Sequence, residues 1–270
     1  MINFKLKELN KIEPVGREPE LMLSWFYLTD GYLWLTFGDR NIYEYTNVVI
    51  QQFEGVVSIY CDYYLVRFIE DFTALFEKIS EGIPAKFYDL TDNIDQFQKD
   101  NELWIDLNEL DDRELDSLFW DKHEKLISWI NERTLRSSHL IGGPKLRFFR
   151  FGDNVKIIWD TDHVLENGTK LWTAENGQYQ MSYVSFVNGI RSFADAFFKT
   201  MDAQVELAIT KEWGDITVDK KILVQEHKER KMEFYSKISL LESGPVVKTN
   251  WDEIEELYSL MDNEINGKSA

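Results

Sequence analysis

Twice along the chain a run of alternating apolar residues turns on a Gly-Asp pair and later gives way to apolar residues at helical spacing. The first turn is Phe37-Gly38-Asp39-Arg40 and the second is Phe151-Gly152-Asp153-Asn154. Alternation puts every second side chain on one face of a strand, and a tight turn can join only antiparallel neighbours. A chain written this way predicts an α+β protein, with antiparallel β-hairpins packed with helices. The halves can also be laid over one another as related hairpin-plus-helix units. Leu65, Phe68, Phe72, Leu75, Phe76 and Ile79 then fall on Val187, Ile190, Ala194, Phe197, Phe198 and Met201, while Ile69 meets Arg191. Hairpin-then-helix is a common order, so duplication and coincidence both stand.

The local pattern predicts a strand over residues 2–8, a strand over Leu23–Leu28, a turn at Thr29-Asp30-Gly31, and strands Tyr32–Phe37, Ile42–Tyr45 and Val56–Cys61. Asp62 is placed to cap a helix over residues 63–80, ended by Gly82 and Pro84. A second helix is expected from Asp111 to Arg133, after a partly irregular acidic stretch. Past Gly142-Gly143-Pro144, Leu146–Phe151 pairs with Val155–Trp159, and Lys170–Thr173 pairs with Gln178–Tyr183. Helices follow over 184–203 and 219–241, and a last one starts after Asn250. The expected division is an N-terminal half, 1–140, and a C-terminal half, 141–270, packed as one unit.

With 270 residues, 44% of them apolar and 14% aromatic, the chain can bury a substantial core. Cys61 is its single cysteine, so no intrachain disulfide forms and a reducing compartment is the simpler expectation. Met1-Ile2-Asn3-Phe4-Lys5 shows no charged region followed by a long apolar run, so no leader peptide is expected, and no apolar run is long enough to span a bilayer. The expected location is the cytoplasm.

Charge is the sharpest compositional constraint. The net charge of −18 disfavours nucleic acid and anionic membranes as partners, because both require Lys and Arg opposite phosphate. It favours a basic protein partner. Residues 1–135 hold 27 acids against 13 bases, and residues 136–270 hold 21 against 17. Within the first half, the segment 89–116 carries Asp89, Asp92, Asp95, Asp100, Glu102, Asp106, Glu109, Asp111, Asp112, Glu114 and Asp116, opposed only by Lys99 and Arg113. The charged stretch 219–241 has mixed signs and suggests a solvated helix face.

Trp25–Leu35 (WFYLTDGYLWL), Asp62–Phe72 (DYYLVRFIEDF) and Phe148–Asp160 (FFRFGDNVKIIWD) together resemble a bacterial family of stand-alone, acidic, cytosolic proteins catalogued only as a domain of unknown function. The likeness spans about residues 4–205 in the same order. It implies a shared fold and carries no catalytic residues across.

Catalytic signals are thin. His123, His139, His163 and His227 form no HxxxH or HExxH unit. Asp160-Thr161-Asp162-His163 could ligate a divalent ion, and a polar turn closing a strand would look the same. Cys61 beside Asp62 reads as a buried structural thiol. Gly142-Gly143-Pro144-Lys145 precedes a strand, not the helix N-terminus of a phosphate loop. Neither a cofactor nor a metal is called for.

The acidic segment can be read as a solvated, flexible connection that keeps the protein soluble, as a docking face, or as a segment folded back on the core. Trp104, with Phe97, Leu103, Ile105 and Leu107, can be an anchor ringed by charge on a docking face. Alternatively the segment folds back and buries Trp104 and Leu107. The expectation is a non-enzymatic acidic binding protein, concretely a bacterial immunity protein that docks on a basic toxin. Its partner-binding residues would be Asp89, Asp92, Asp95, Asp100, Glu102, Trp104, Asp106, Glu109, Asp111 and Asp112. The alternatives are a hydrolase with a site of scattered carboxylates, metal-assisted or not, and a structural subunit of an assembly.

Overall fold

A computed structural model describes residues 1–52, 58–108, 117–243 and 247–268, without the side chains of Ser117 and Lys268. The fold is α+β, with antiparallel sheets packed against helices. The first sheet is centred on β2 (Asp30–Phe37). Along one edge runs β1 (Ile2–Leu6), with Ile2 opposite Leu35 and Leu6 opposite Gly31. Two short strands share the other edge. β3 (Arg40–Ile42) pairs with the end of β2, and β4 (Cys61–Tyr64) pairs with its beginning. The second sheet is a meander of β5 (Thr134–Arg136), β6 (Lys145–Phe151), β7 (Asn154–Asp160) and β8 (Gly177–Ser182).

Helices fill the space around the sheets. In the chain α1 (Trp25–Leu28) precedes β2, α2 (Asn47–Gln52) lies between β3 and β4, and α3 (Leu65–Thr73) and α4 (Phe76–Ser80) follow β4. α5 (Ala85–Leu90), a 3-10 turn over Thr91–Asn93, α6 (Ile94–Asn108) and α7 (Ser117–Asn131) lie between the sheets in sequence. α8 (Tyr183–Thr210), α9 (Lys220–Glu242) and α10 (Trp251–Lys268) close the chain. The late helices start on side-chain caps. Ser182 accepts from the Ser185 amide, Asp219 from the Lys221 and Ile222 amides, and Asn250 from the Glu253 amide.

The main core draws on both halves. Leu33, Leu35 and Phe37 of β2 and Phe148, Ile157 and Trp159 of the second sheet meet Phe68, Phe72 and Phe76 of α3 and α4 and Phe186, Phe193 and Phe197 of α8. A second cluster lies on the opposite face of the second sheet. There Phe149 and Ile158 are covered by Phe87 of α5, Phe97 and Trp104 of α6, Trp129 of α7 and Leu257 of α10. The first sheet alternates buried and half-buried residues along β2, whereas the second is buried on both faces over most of β6 and β7.

Several expectations are corrected. Trp25–Leu28 is a helical turn, not a strand. Asp30-Gly31 is no turn, because β2 runs straight through it. A Cβ on Gly31 would lie 2.5 Å from the Lys5 carbonyl oxygen, so the glycine permits close pairing with β1. Asp62 caps nothing; it sits in β4, and the helix after it starts at Leu65 and breaks into α3 and α4. β8 pairs with β7, not with 170–173, where Lys170 and Trp172 make only isolated bridges, to Val164 and Tyr45. The acidic stretch is helical from Ile94 to Asn108. The strand expected over Val56–Cys61 and the helix start expected at Asp111 lie partly outside the described residues. No helix among the described residues is long and apolar enough to cross a membrane.

Candidate protein-docking surface

α6 is amphipathic, with Ile94, Phe97, Asn101 and Trp104 buried at helical spacing. Trp104 is 1% exposed, so it is a core residue and not the exposed anchor. Its indole Nε1 donates to Glu264 of α10 at 2.7 Å, and its ring meets Phe119 of α7 edge-on at 4.8 Å. Burying the tryptophan fixes the helix and turns its other face outward.

Asp89, Asp95, Glu102 and Asp106 are exposed on α5 and α6. Asp100 is half-buried and accepts from Gln96 at 2.8 Å. Asp92 is exposed but committed, since Lys156 of β7 donates to it at 2.8 Å. Glu109, Asp111 and Asp112 lie outside the described residues. The structure therefore brings Asp89, Asp95, Glu102 and Asp106 to one helical layer as outward carboxylates. It assigns Asp92 to an ion pair and Trp104 to the core.

That layer has acids the sequence reading did not connect to it. α10 packs against both α6 and α7 and carries Asp252, Glu253, Glu255, Glu256, Asp262 and Glu264. Asp252, Glu255, Glu256 and Asp262 are exposed. Lys86 offsets Glu255 at 2.9 Å, and Lys125 offsets Glu253 at 2.5 Å. The visible signal was the Asp/Glu-rich helix starting after Asn250; its neighbour was not visible, because 141 residues lie between Asn108 and Asn250.

The other candidate residues divide clearly. Asp162 accepts from Asn176 at 2.7 Å, and Asp160 lies 4.0 Å from Lys145 and accepts from the Asp162 amide at 3.3 Å. These bonds close the turn after β7. Gly142, at φ +62°, lies so close to His163 that a Cβ would meet the ring at 2.1 Å. No three His, Cys, Asp or Glu side chains among the described residues gather as a metal-holding group. Cys61 is fully buried, and burial pushes its thiol up to about 12, with Asp62 adding to the shift.

A second feature is a polar cleft of about 610 Å³ beside the first sheet. Lys7 donates there to Asp62 at 2.8 Å and reaches Asp30 at 2.9 Å, tying the chain after β1 to β2 and β4. Burial pushes the Asp30 carboxyl up, and Asp62 adds to this against the pull of Lys7. The Asp-Gly misreading hid this cluster, since a turn would not face a strand. The cleft continues over Tyr32 and over Trp34, which stacks on Tyr60 at 4.0 Å.

A family of unknown function, DUF5984, has a sequence pattern that matches residues 1–257. No curated protein and no solved structure matches the chain.

Proposed function

We propose, for a chain that belongs to the DUF5984 family and inherits no assigned activity from it, a non-enzymatic binding protein that captures a basic protein on its acidic helical layer. The observation that carries this reading is the packing of α6 beside α10, which lays two acidic helices together on one anchored layer. Asp89, Asp95, Glu102 and Asp106 there have no side-chain ion pair among the described residues. Opposite charge speeds association and fixes orientation, and carboxylates already held on rigid helices lose little entropy on docking. The concrete form is an immunity-type protein that blocks a basic toxin stoichiometrically.

The test is affinity capture from the source cell with the intact protein and with a variant carrying Asp95→Asn, Glu102→Gln, Asp106→Asn, Glu256→Gln and Asp262→Asn. The expected result is one basic protein, retained at low salt and released as salt rises, and lost from the variant. A partner retained equally by the variant, or no partner, overturns the reading.

One observation favours a second reading, a carboxylate hydrolase. The polar cleft holds Asp30, whose carboxyl is pushed up, beside Asp62. A carboxyl raised by burial can serve as an acid beside a second carboxyl. The wild-type protein would then turn over chromogenic glycosides or esters, and Asp30→Asn would abolish that turnover. No turnover by the wild type sinks it.

A further inference from the structure

Arg147 is a largely buried residue whose charge the fold leaves unpaired, with its guanidinium nitrogens still in contact with solvent. It stands in the middle of β6, with Thr134 of β5 and Ile158 of β7 as register neighbours, and is 5% exposed. Among the described residues its guanidinium donates no hydrogen bond and forms no ion pair; Asp160 and Asp95 act on it only through space. Its buried neighbours are provided for. Lys156, on the same face, donates to Thr91 at 2.9 Å and Asp92 at 2.8 Å and lies over the Tyr88 ring. Arg133 holds Glu81 at 3.1 Å.

Arg147 lines a cavity of about 250 Å³ between the start of α6 and the β7–β8 edge. Its unpaired nitrogens keep contact with solvent, so a ligand entering the cavity meets the guanidinium directly. The cavity equals about eight water molecules at ~30 Å³ each, enough for a small molecule.

The rest of the lining selects among anions. Asp92, Asp95 and Asp160 would repel a phosphate dianion. A carboxylate joined to an ammonium suits both signs, since the planar arginine fork matches a carboxylate and the acids match the ammonium. Asn93 and Gln178 add amides that make no side-chain hydrogen bond among the described residues, and Ile158 and Trp159 add an apolar wall.

We infer that this cavity binds a small free α-amino acid, its carboxylate held by Arg147 and its ammonium by Asp95 and Asp160. The site lies at the margin of the acidic layer and does not depend on that layer docking a protein.

Calorimetric titration of the intact protein tests it, with glycine, L-alanine and L-glutamine as probes and propionate and ethylamine as half-molecules. At least one amino acid should bind at least about tenfold more tightly than either half-molecule. Arg147→Met should abolish binding while the protein still melts cooperatively. Arg147→Lys, which keeps the charge but loses the fork, should weaken binding. Asp160→Asn should weaken the amino acid and leave propionate unchanged. No binding by any amino acid at about 10 mM, or binding retained by a folded Arg147→Met protein, overturns the site. Propionate binding as tightly as the amino acids overturns the zwitterion.

Discussion

Arg133 and Arg147 are close neighbours with opposite surroundings. Arg133 directly precedes β5, and Arg147 on β6 pairs with the residue after it, Thr134. The two are 0% and 5% exposed. Arg133 donates Nη1 to the Trp129 carbonyl and Nη2 to Glu81, both at 3.1 Å, and its guanidinium lies 5.5 Å from the centre of the Trp251 ring. Only its Nε is left without a hydrogen bond. Glu81 in turn accepts from the Lys248 and Thr249 amides and from the Thr249 hydroxyl. This pair therefore joins the end of α4, the end of α7 and the approach to α10. Arg147 has only a cavity and distant acids. One cation is bonded into the structure; the other is left unpaired, facing a cavity and solvent.

The largest effect should come from cutting the first network. Glu81→Leu leaves Arg133 buried without a countercharge and should cost roughly 3–5 kcal/mol in urea unfolding. The double variant Glu81→Leu/Arg133→Met removes both charges and should recover much of that loss. Recovery would show that the pair positions α10 more than it adds net stability. Protonation should act in the same direction. Burial alone would raise the Glu81 carboxyl, but Thr249 and Arg133 outweigh it and hold the group below its usual value. Its folded pKa is depressed, so its contribution is present above about pH 4.5 and is lost as the pH falls.

At Arg147 the expected sign reverses. Arg147→Met removes an unpaired charge and keeps most of the volume, so it should leave stability unchanged or raise it by less than about 1 kcal/mol. Destabilisation by more than about 1 kcal/mol would break the comparison, because it would mean the guanidinium contributes to the folded state after all.

His123 shows how a milder group handles the same environment. It is buried beside Trp104 and Phe119, and its Nδ1 has no hydrogen bond. Burial pushes its pKa below 6.5, against a smaller opposing pull from Glu124, so it stays neutral where an arginine cannot. The unfolded chain takes up the proton first. Stability is therefore present above about pH 6.5 and falls as the pH drops toward the folded pKa. His123→Phe should flatten that part of the stability profile, an effect smaller than either arginine change.

These differences were only partly legible in the sequence. Leu146–Phe151 and Val155–Trp159 announced their hairpin through alternation and the Gly152-Asp153-Asn154 turn, and both strands formed where expected. The pattern of Ile94, Phe97, Asn101 and Trp104 was open to reading as one helix face, but the density of acids drew attention from it. Asp30-Gly31 misled because glycine serves close strand pairing as readily as turns. Whether an arginine on a strand finds a partner depends on residues brought by other elements: Glu81 lies 52 residues before Arg133. No local spacing reports that distance, so the contrast between Arg133 and Arg147 exists only in the fold.

The smallest effect should come from the outward acids. Asp95, Glu102 and Asp106 are exposed and form no side-chain ion pair among the described residues. Replacing them with Asn, Gln and Asn should change unfolding stability by no more than about 0.5 kcal/mol per site. For Glu102 and Asp106 any shift should tend toward stabilisation, because like charges on adjacent helices repel. Asp95 adds a check on the comparison, since it also acts on Arg147 through space. Asp95→Asn should therefore destabilise slightly in the wild type and lose that effect in the Arg147→Met background, a coupling that a double-mutant cycle can read. If the cycle shows no coupling, the distant acids do not compensate Arg147, and the cavity beside it holds an entirely unanswered charge.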